Sequence, residues 1–344
     1  MAKKGTKNPR GLNSKEKSEV KKIVLGKIQT VAEHKYMNIL QTFNTVPHIS
    51  KFGNRVSVLG FSNTVNRIGQ GDSLQTLNYG QTDPVAVPPV YAPMNEMKML
   101  RPFTDTTGNS QTDNYALEGR ECMPRAAKCK WRLSRNISSQ VAGFQVEDWN
   151  SGLGLPPNLA TNLPIICRMI RVSPKLTQTN QVCNPEDDLF LPEFNNQTGI
   201  NNSAFDDLEL LTYRVNKRRY TVVEDKFFRI QNGLTIQYQR AIRNAPDGGT
   251  AAFLQPIISN TNANCEKVLT TYHQLTSKKN SKVFYDQPES VTLENASSGM
   301  RREYTLFHFM YAGAQSYLDN EVTAPKAPQD LRISAVPLVK FTDV

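Results

Sequence analysis

The first 30 residues of this 344-residue chain contain no aromatic side chain and only two acids, Glu16 and Glu19. A segment of that kind cannot bury enough apolar surface to fold alone. The whole chain is also poor in reactive side chains, with four His, five Cys and two Trp. Cys122, Cys129, Cys167, Cys183 and Cys265 are odd in number and form no C-x-x-C pair. That pattern argues against a disulfide framework and a structural zinc site, and it predicts reduced, mostly buried thiols in a cytosolic or nuclear compartment. The only Gly-Lys pair, Gly26-Lys27, precedes Ile28, so the phosphate-binding loop of NTPases and helicases is missing. There is no H-E-x-x-H and no G-x-S-x-G. His34, His48, His273 and His308 are far apart in sequence, and His308 lies within an apolar strand pattern that predicts a structural histidine. No apolar run reaches the length of about 18 residues that suggests a membrane span, and the basic N-terminus lacks the apolar segment of a secretory signal. The expectation is a chain with no membrane span, no metal, no cofactor and no enzymatic activity.

What the chain does have is charge of one sign at one end. Lys3, Lys4, Lys7, Arg10, Lys15, Lys17, Lys21, Lys22 and Lys27 give the first 30 residues +7 of the total +10, and the other 314 residues share +3. Neutralising phosphates releases counterions and needs charge rather than base-edge geometry. The segment therefore predicts a nucleic-acid-binding arm, and without stacking aromatics it predicts no sequence-specific reading of single strands. Residues 1–13 have the composition of disorder. From Ser14 to Ala32, the apolar residues Val20, Ile23, Val24, Ile28, Val31 and Ala32 recur at helical spacing. Asn13 and Glu16 form the pattern of a capping box, while Gly26 weakens the helix by about 1 kcal/mol. The result is a marginal helix that orders on docking. Its apolar face fits packing on its own domain, a nucleic-acid complex or, without the usual Trp or Phe, a membrane surface.

Beyond the arm the signal is β. Lys128 to Leu133 (KCKWRL) alternates strictly, with Cys129, Trp131 and Leu133 on one face and Lys128, Lys130 and Arg132 on the other. These last three extend the predicted nucleic-acid surface. Further strands are expected at 55–61, 163–172, 281–285, 304–311 and 331–341. Tyr220 to Gln231 and Leu234 to Gln239 flank Asn232-Gly233, which predicts a tight hairpin. Residues 173–206 read as a long polar loop, and Val268 to Gln274 as a short helix. The acidic clusters Glu186, Asp187, Asp188 and Asp206, Asp207, Glu209 read as solvated loops, the functional alternative being a hard cation. About eight antiparallel strands argue for an all-β sandwich or jelly roll.

Several segments together resemble a family. The basic N-terminus followed by Ala32-Glu33-His34-Lys35-Tyr36 is similar to the opening of capsid proteins from circular Rep-encoding single-stranded DNA viruses. Leu117-Glu118-Gly119-Arg120 leading into KCKWRL resembles the family's first shell strand. Cys167 to Leu176 (CRMIRVSPKL) and Arg219 to Phe227 (RYTVVEDKF) resemble two later motifs, and the ending KFTDV resembles its last strand. The arm is less arginine-rich than in circoviruses, so the chain looks closer to the bacilladnaviruses, whose capsid fold is similar to nodavirus and tombusvirus coats.

The resemblance implies a single eight-stranded jelly roll with a basic, partly helical N-terminal arm. It implies an arm over 1–36 and a shell domain over 37–344 with long loop insertions, its first strand near 116–135 and its last near 331–344. It also implies many copies in an icosahedral shell, a packaged single-stranded DNA genome, and a location in the virion, with the host nucleus or cytoplasm during assembly. The alternatives are the coat of a small RNA virus and a cellular carbohydrate-binding β-sandwich with a basic nuclear tail.

Overall fold

The computed structural model describes residues 13–31, 34–38, 41–44, 56–63, 67–68, 75–83, 90–97, 99–100, 121–135, 164–175, 183–192, 196–202, 205, 207–231, 234–244, 250–261, 263–278, 281–285, 299–312, 328 and 331–343. Helix α1 (Ser14–Val31) precedes β1 (His34–Asn38), β2 (Gln41–Asn44), β3 (Ser57–Ser62), β4 (Arg67–Ile68), β5 (Gln75–Thr76), β6 (Asn78–Asp83), β7 (Val90–Pro93) and β8 (Asn95–Glu96). Then come β9 (Glu121–Arg135), β10 (Ile165–Pro174), α2 (Pro185–Asp188), β11 (Phe190–Leu191), α3 (Asp207–Thr212) and β12 (Arg214–Val215). The remaining strands are β13 (Tyr220–Ile230), β14 (Leu234–Asn244), β15 (Thr250–Thr261), β16 (Glu266–His273), β17 (Val283–Phe284), β18 (Tyr304–Tyr311) and β19 (Leu331–Asp343).

The protein is mostly β, with several antiparallel sheets. One main sheet runs β1-β19-β9-β16, with β17 also on β9 and β2 also on β19; the other runs β13-β10-β18-β3-β8. Every pairing in these two sheets is antiparallel except β3 with β8. The sheets face each other across one core. Trp131 from β9 meets Phe61 of β3 and Phe307 of β18 edge-on, at centroid distances of 5.0 and 5.1 Å, within the range for favourable aromatic pairs.

The two sheets differ in what covers their outer faces, and their sequences show it. Six-stranded-sheet strand β9 alternates, with Cys129, Trp131 and Leu133 buried while Lys130 and Arg132 are exposed and Lys128 is half-buried. By contrast, all eight residues of β18 and all six of β3 are buried, because these inner strands of the five-stranded sheet are covered on both faces, as near-continuous apolar strands require, while its edge strand β13 is largely exposed. Its second core collects Tyr79, Ile170, Phe190, Ile200, Phe205 and Leu306. Here β6 crosses β3 so closely that a Cβ on Gly60 would lie 2.8 Å from Cβ of Tyr79.

Several expectations are corrected. β13 and β14 do not form a hairpin with each other: β13 pairs with β10 in the five-stranded sheet, and β14 pairs with β15. Both segments flanking Asn232-Gly233 are strands, but β10 out-competes the local neighbour by giving β13 a buried partner. The segment expected as a helix, 268–274, is largely strand β16, with Thr271 and His273 buried and Val268, Thr270 and Tyr272 exposed in alternation. The expected polar loop includes α2 and β11 and carries Cys183, Leu189, Phe190, Ile200 and Phe205 into the second core. β1 starts at His34, and four strands of the main sheets, β1, β2, β3 and β8, precede β9: β1 and β2 pair with β19, β3 with β18, and β8 with β3.

Phe307 lies between the sheets and is fully buried. Phe307→Ala is expected to lower the unfolding free energy by about 3–5 kcal/mol, measured as a reduced denaturant midpoint or as loss of folded protein.

Candidate nucleic-acid interface

The arm helix begins as its residue types dictate. Glu16 N donates to Asn13 Oδ1 at 2.9 Å and Asn13 N to Glu16 Oε2 at 2.8 Å, a reciprocal capping box. Lys15, Lys17, Lys21 and Lys22 are exposed, as are the apolar Val20, Ile23 and Val24. Lys27 falls within α1, and Lys3, Lys4, Lys7 and Arg10 lie outside the described residues. The helix ends at Val31, three residues before β1, which is paired with β19 of the six-stranded sheet. The arm is thus joined to the sheet that carries the KCKWRL cations.

On the outer face of that sheet, Lys128 sits between Tyr272 and Leu338, Lys130 between Thr270 and Val336, and Arg132 between Val268 and Ser334. Arg132 is committed to a fork on Glu266, with Nε and Nη2 each 2.7 Å from a carboxylate oxygen. Lys128 and Lys130 have no carboxylate partner among the described residues. Two cations missed in the sequence, Arg332 and Lys340, alternate with Ser334, Val336 and Leu338 on β19. The period-two pattern of LRISAVPLVKF was enough to find them. Tyr272 lies in a segment whose residues also fit a short helix, so periodicity does not mark it; it is 73% exposed on the same face and offers a ring on which a base can stack.

Several charged groups are buried within the fold. Arg171, on β10, joins the sheets: its Nη2 donates to the Tyr272 carbonyl at 2.6 Å and to Glu303 Oε1 at 2.6 Å, and its Nη1 to Glu224 at 2.9 Å. His273 Nδ1 is 2.9 Å from Glu303 Oε1, and its Nε2 is 2.7 Å from the Thr271 hydroxyl. The neutral ring with its proton on Nδ1 suits both partners. Thr271 Oγ1 also accepts from Trp131 Nε1 at 2.8 Å. Burial alone would raise the Glu303 carboxyl, but His273 and Arg171 outweigh it and hold the pKa below the usual range; burial pushes His273 down.

A hydroxyl, an imidazole and a carboxylate in line resemble a nucleophilic triad, yet this hydroxyl is buried beneath Trp131 and already bonded. The cleft of about 310 Å³ beside it, lined by Arg125, His273, Gln274 and Thr276 among others, meets an imidazole whose two nitrogens are both occupied.

Arg168 forks onto Asp225 through Nε and Nη2, at 2.9 and 2.8 Å, and its Nη1 donates to the Leu210 and Tyr213 carbonyls. Its guanidinium also lies over the rings of Phe227 and Phe190, at 5.0 and 5.4 Å. RYTVVEDKF therefore clamps the two arginines of β10. The first acidic cluster is corrected as well. Glu186 and Asp188 are buried rather than solvated, and Asp188 accepts from Arg219 at 2.6 Å and from the Tyr220 hydroxyl. Burial, with Asp187 adding to it, raises Glu186 to about 7. Among the described residues, no group of three or more side chains is arranged to hold a metal, and no helix is long and apolar enough to cross a membrane. Cys122, Cys129, Cys167 and Cys183 are buried free thiols, as their isolation in sequence predicts.

His308 is fully buried, with Nε2 2.7 Å from the Tyr79 hydroxyl and Nδ1 3.3 Å from the Arg168 carbonyl. Desolvation, reinforced by the Arg168 charge, lowers its pKa to about 3. Comparison of the chain with protein-family models and with curated proteins found no match in either case.

Two predictions follow from these buried groups. Arg171→Met leaves Glu303 and Glu224 without their shared cation and is expected to cost about 3–5 kcal/mol in chemical denaturation. A His308 pKa lowered on folding contributes stability that is complete above the unfolded value of about 6.5 and is lost as pH falls toward 3. From pH 7 to pH 5, the wild type is expected to lose about 2 kcal/mol more than His308→Gln, read as the difference between their unfolding free energies at each pH.

Proposed function

We propose that this chain is the coat protein of a small virus: a single jelly-roll domain that assembles in many copies into an icosahedral shell and packages single-stranded nucleic acid, DNA on the resemblance above, through its basic arm. The observation that carries the fold half of this reading is the strand pairing. Taking β1, β3, β9, β10, β13, β16, β18 and β19 as eight principal strands, the first pairs with the eighth, the second with the seventh, the third with the sixth and the fourth with the fifth, all antiparallel. Nested pairing of that kind, split between two facing sheets, is how a jelly roll is wound from an eight-stranded antiparallel ribbon. β2 doubles the first strand on β19, and the short strands lie in insertions.

The packaging half rests on the joining of arm and face. A helix with exposed lysines precedes β1 of the six-stranded sheet, whose outer surface carries Lys128, Lys130, Arg132, Arg332 and Lys340 against Glu266. Positive charge on an arm and on a broad sheet suits sequence-independent contact with phosphates. Many arms converging on one interior would raise the effective concentration, so each contact can be weak. Among the described residues, the buried Arg168, Arg171, Asp188, His273 and Glu303 are held in ion pairs and hydrogen bonds within the fold. Function in this reading is structural, not enzymatic, with no cofactor.

Electron microscopy of the purified protein is expected to show uniform shells; a stable monomer at assembly concentrations would sink the proposal. Deleting residues 1–31 is expected to leave the sandwich folded by circular dichroism while the nucleic acid per particle drops severalfold at matched salt. Unchanged packaging would show that the arm is not the tether.

A further inference from the structure

The outer face of the six-stranded sheet carries one group that phosphate binding does not call for. Tyr272, on β16, holds its ring in solvent, while its neighbours Thr271 and His273 are buried and bonded to Trp131 and Glu303. Its own carbonyl accepts from Arg171 Nη2 at 2.6 Å. The strand is thus fixed on both sides of Tyr272 and through its backbone, and the ring stands out on a rigid support.

Register places the charges around it. Tyr272 is paired across the strands with Lys128, and cross-strand neighbours on one face lie about 5 Å apart at Cβ. Lys130 follows on the same face, about 7 Å along β9. Tyr272 and Lys128 are also the last pair on this face. β16 ends opposite Ala127, and β17 takes up the edge of β9 only at Cys122. Among the described residues, Pro124, Arg125 and Ala126 have no strand beside them on that edge, and they line the cleft of about 310 Å³. A ring, a cation beside it and a recess at the end of the row offer an unpaired nucleotide a face for its base, a charge for its phosphate and room for its sugar.

We propose that Tyr272 is a stacking platform for an unpaired base, and that this sheet face, not the arm, gives the protein a preference for single strands over duplex. The inference rests on the coat-protein reading only in taking the bound strand to be the packaged genome. The first 30 residues carry charge and no aromatic ring, so the arm attracts duplex and single strand alike. In a duplex each base is covered by its neighbours, and exposing one costs unstacking; a duplex therefore meets the lysines without the ring. An unpaired base meets both. Stacking tolerates every base, because each has a π face, so the selectivity is for strandedness and not for sequence.

The test is binding by the full chain, held below the concentration at which particles form. The probes are a fluorescent oligothymidine, an abasic oligomer of the same length and a duplex of matched charge, compared by anisotropy at one salt concentration. The wild type is expected to bind the oligothymidine about tenfold more tightly than the abasic strand. Tyr272→Ala is expected to lose that margin with duplex binding unchanged, and Tyr272→Phe to keep it. Lys128→Gln with Lys130→Gln is expected to weaken binding of all three probes. Equal affinity of the wild type for the oligothymidine and the abasic strand overturns the stacking whatever the variants do. So does a loss in Tyr272→Ala that is the same on duplex. A Tyr272→Ala variant that binds normally but forms no particles makes the ring a subunit contact and overturns it too. None of these results removes the coat-protein reading, which is tested by shells and by packaging through the arm. Conversely, a wild type that forms no shells yet shows the tenfold margin removes that reading and keeps the stacking site.

Discussion

The central strands β10, β18 and β3 of the five-stranded sheet have no solvent face, and most of the fold answers to that constraint. One side lies on the six-stranded sheet through Trp131, Phe61 and Phe307. The other must be covered by chain that is not part of either main sheet, and the stretch from Cys183 to Val215 and strand β6 do this with Phe190, Ile200, Phe205, Leu210 and Tyr79. Burial on both faces explains why YTLFHFMY is apolar without alternation and why its one polar ring, His308, is held neutral by desolvation and given two hydrogen-bond partners.

A sheet buried on both sides also traps the polar groups of its strands, and β10 carries two arginines. Each is answered in kind. Arg168, on the side of the second core, takes Asp225, two carbonyls and two aromatic rings. Arg171 takes Glu224, Glu303 and a carbonyl of β16, so that one guanidinium fixes the spacing of the two sheets. Removing a partner from such a pair costs far more than the pair contributes relative to apolar packing, which makes these groups constraints on register. The six-stranded sheet is free of this demand on its outer face, and it is there that cations gather. On the proposed function, the division is between a sheet that serves stability and a sheet that meets the genome.

Much of this was legible in the residues. The capping box of α1, the inward and outward sides of KCKWRL, the strands expected at 163–172, 304–311 and 331–341 and the burial of His308 follow from local periodicity, because alternation records which neighbours each side chain will have. The candidate cations of the arm and of β9 could be named for the same reason. The misreadings share a cause. Asn232-Gly233 favours a hairpin locally, but β13 gains a buried partner in β10. VLTTYHQ allows a short helix, but β9 offers β16 a full edge. Residues 183–205 are polar on average, but a few apolar side chains among them decide their position. Arg332, Lys340 and Tyr272 belong to the basic face only because β19 and β16 flank β9, and that is a fact of pairing between strands far apart in the sequence.

Charge asymmetry, strand content and the identity of the buried faces were therefore settled one segment at a time, since each depends on residue types and their spacing along a few turns or pleats. Which strand lies beside which, how Asp188, Glu186 and the two arginines of β10 are neutralised, and how cations from separate strands come to share a surface were decided only when the chain closed on itself. The physical reason is that pairing and desolvation are long-range: a strand takes the partner that buries it best, and a charge takes its pKa from whatever that partner brings near.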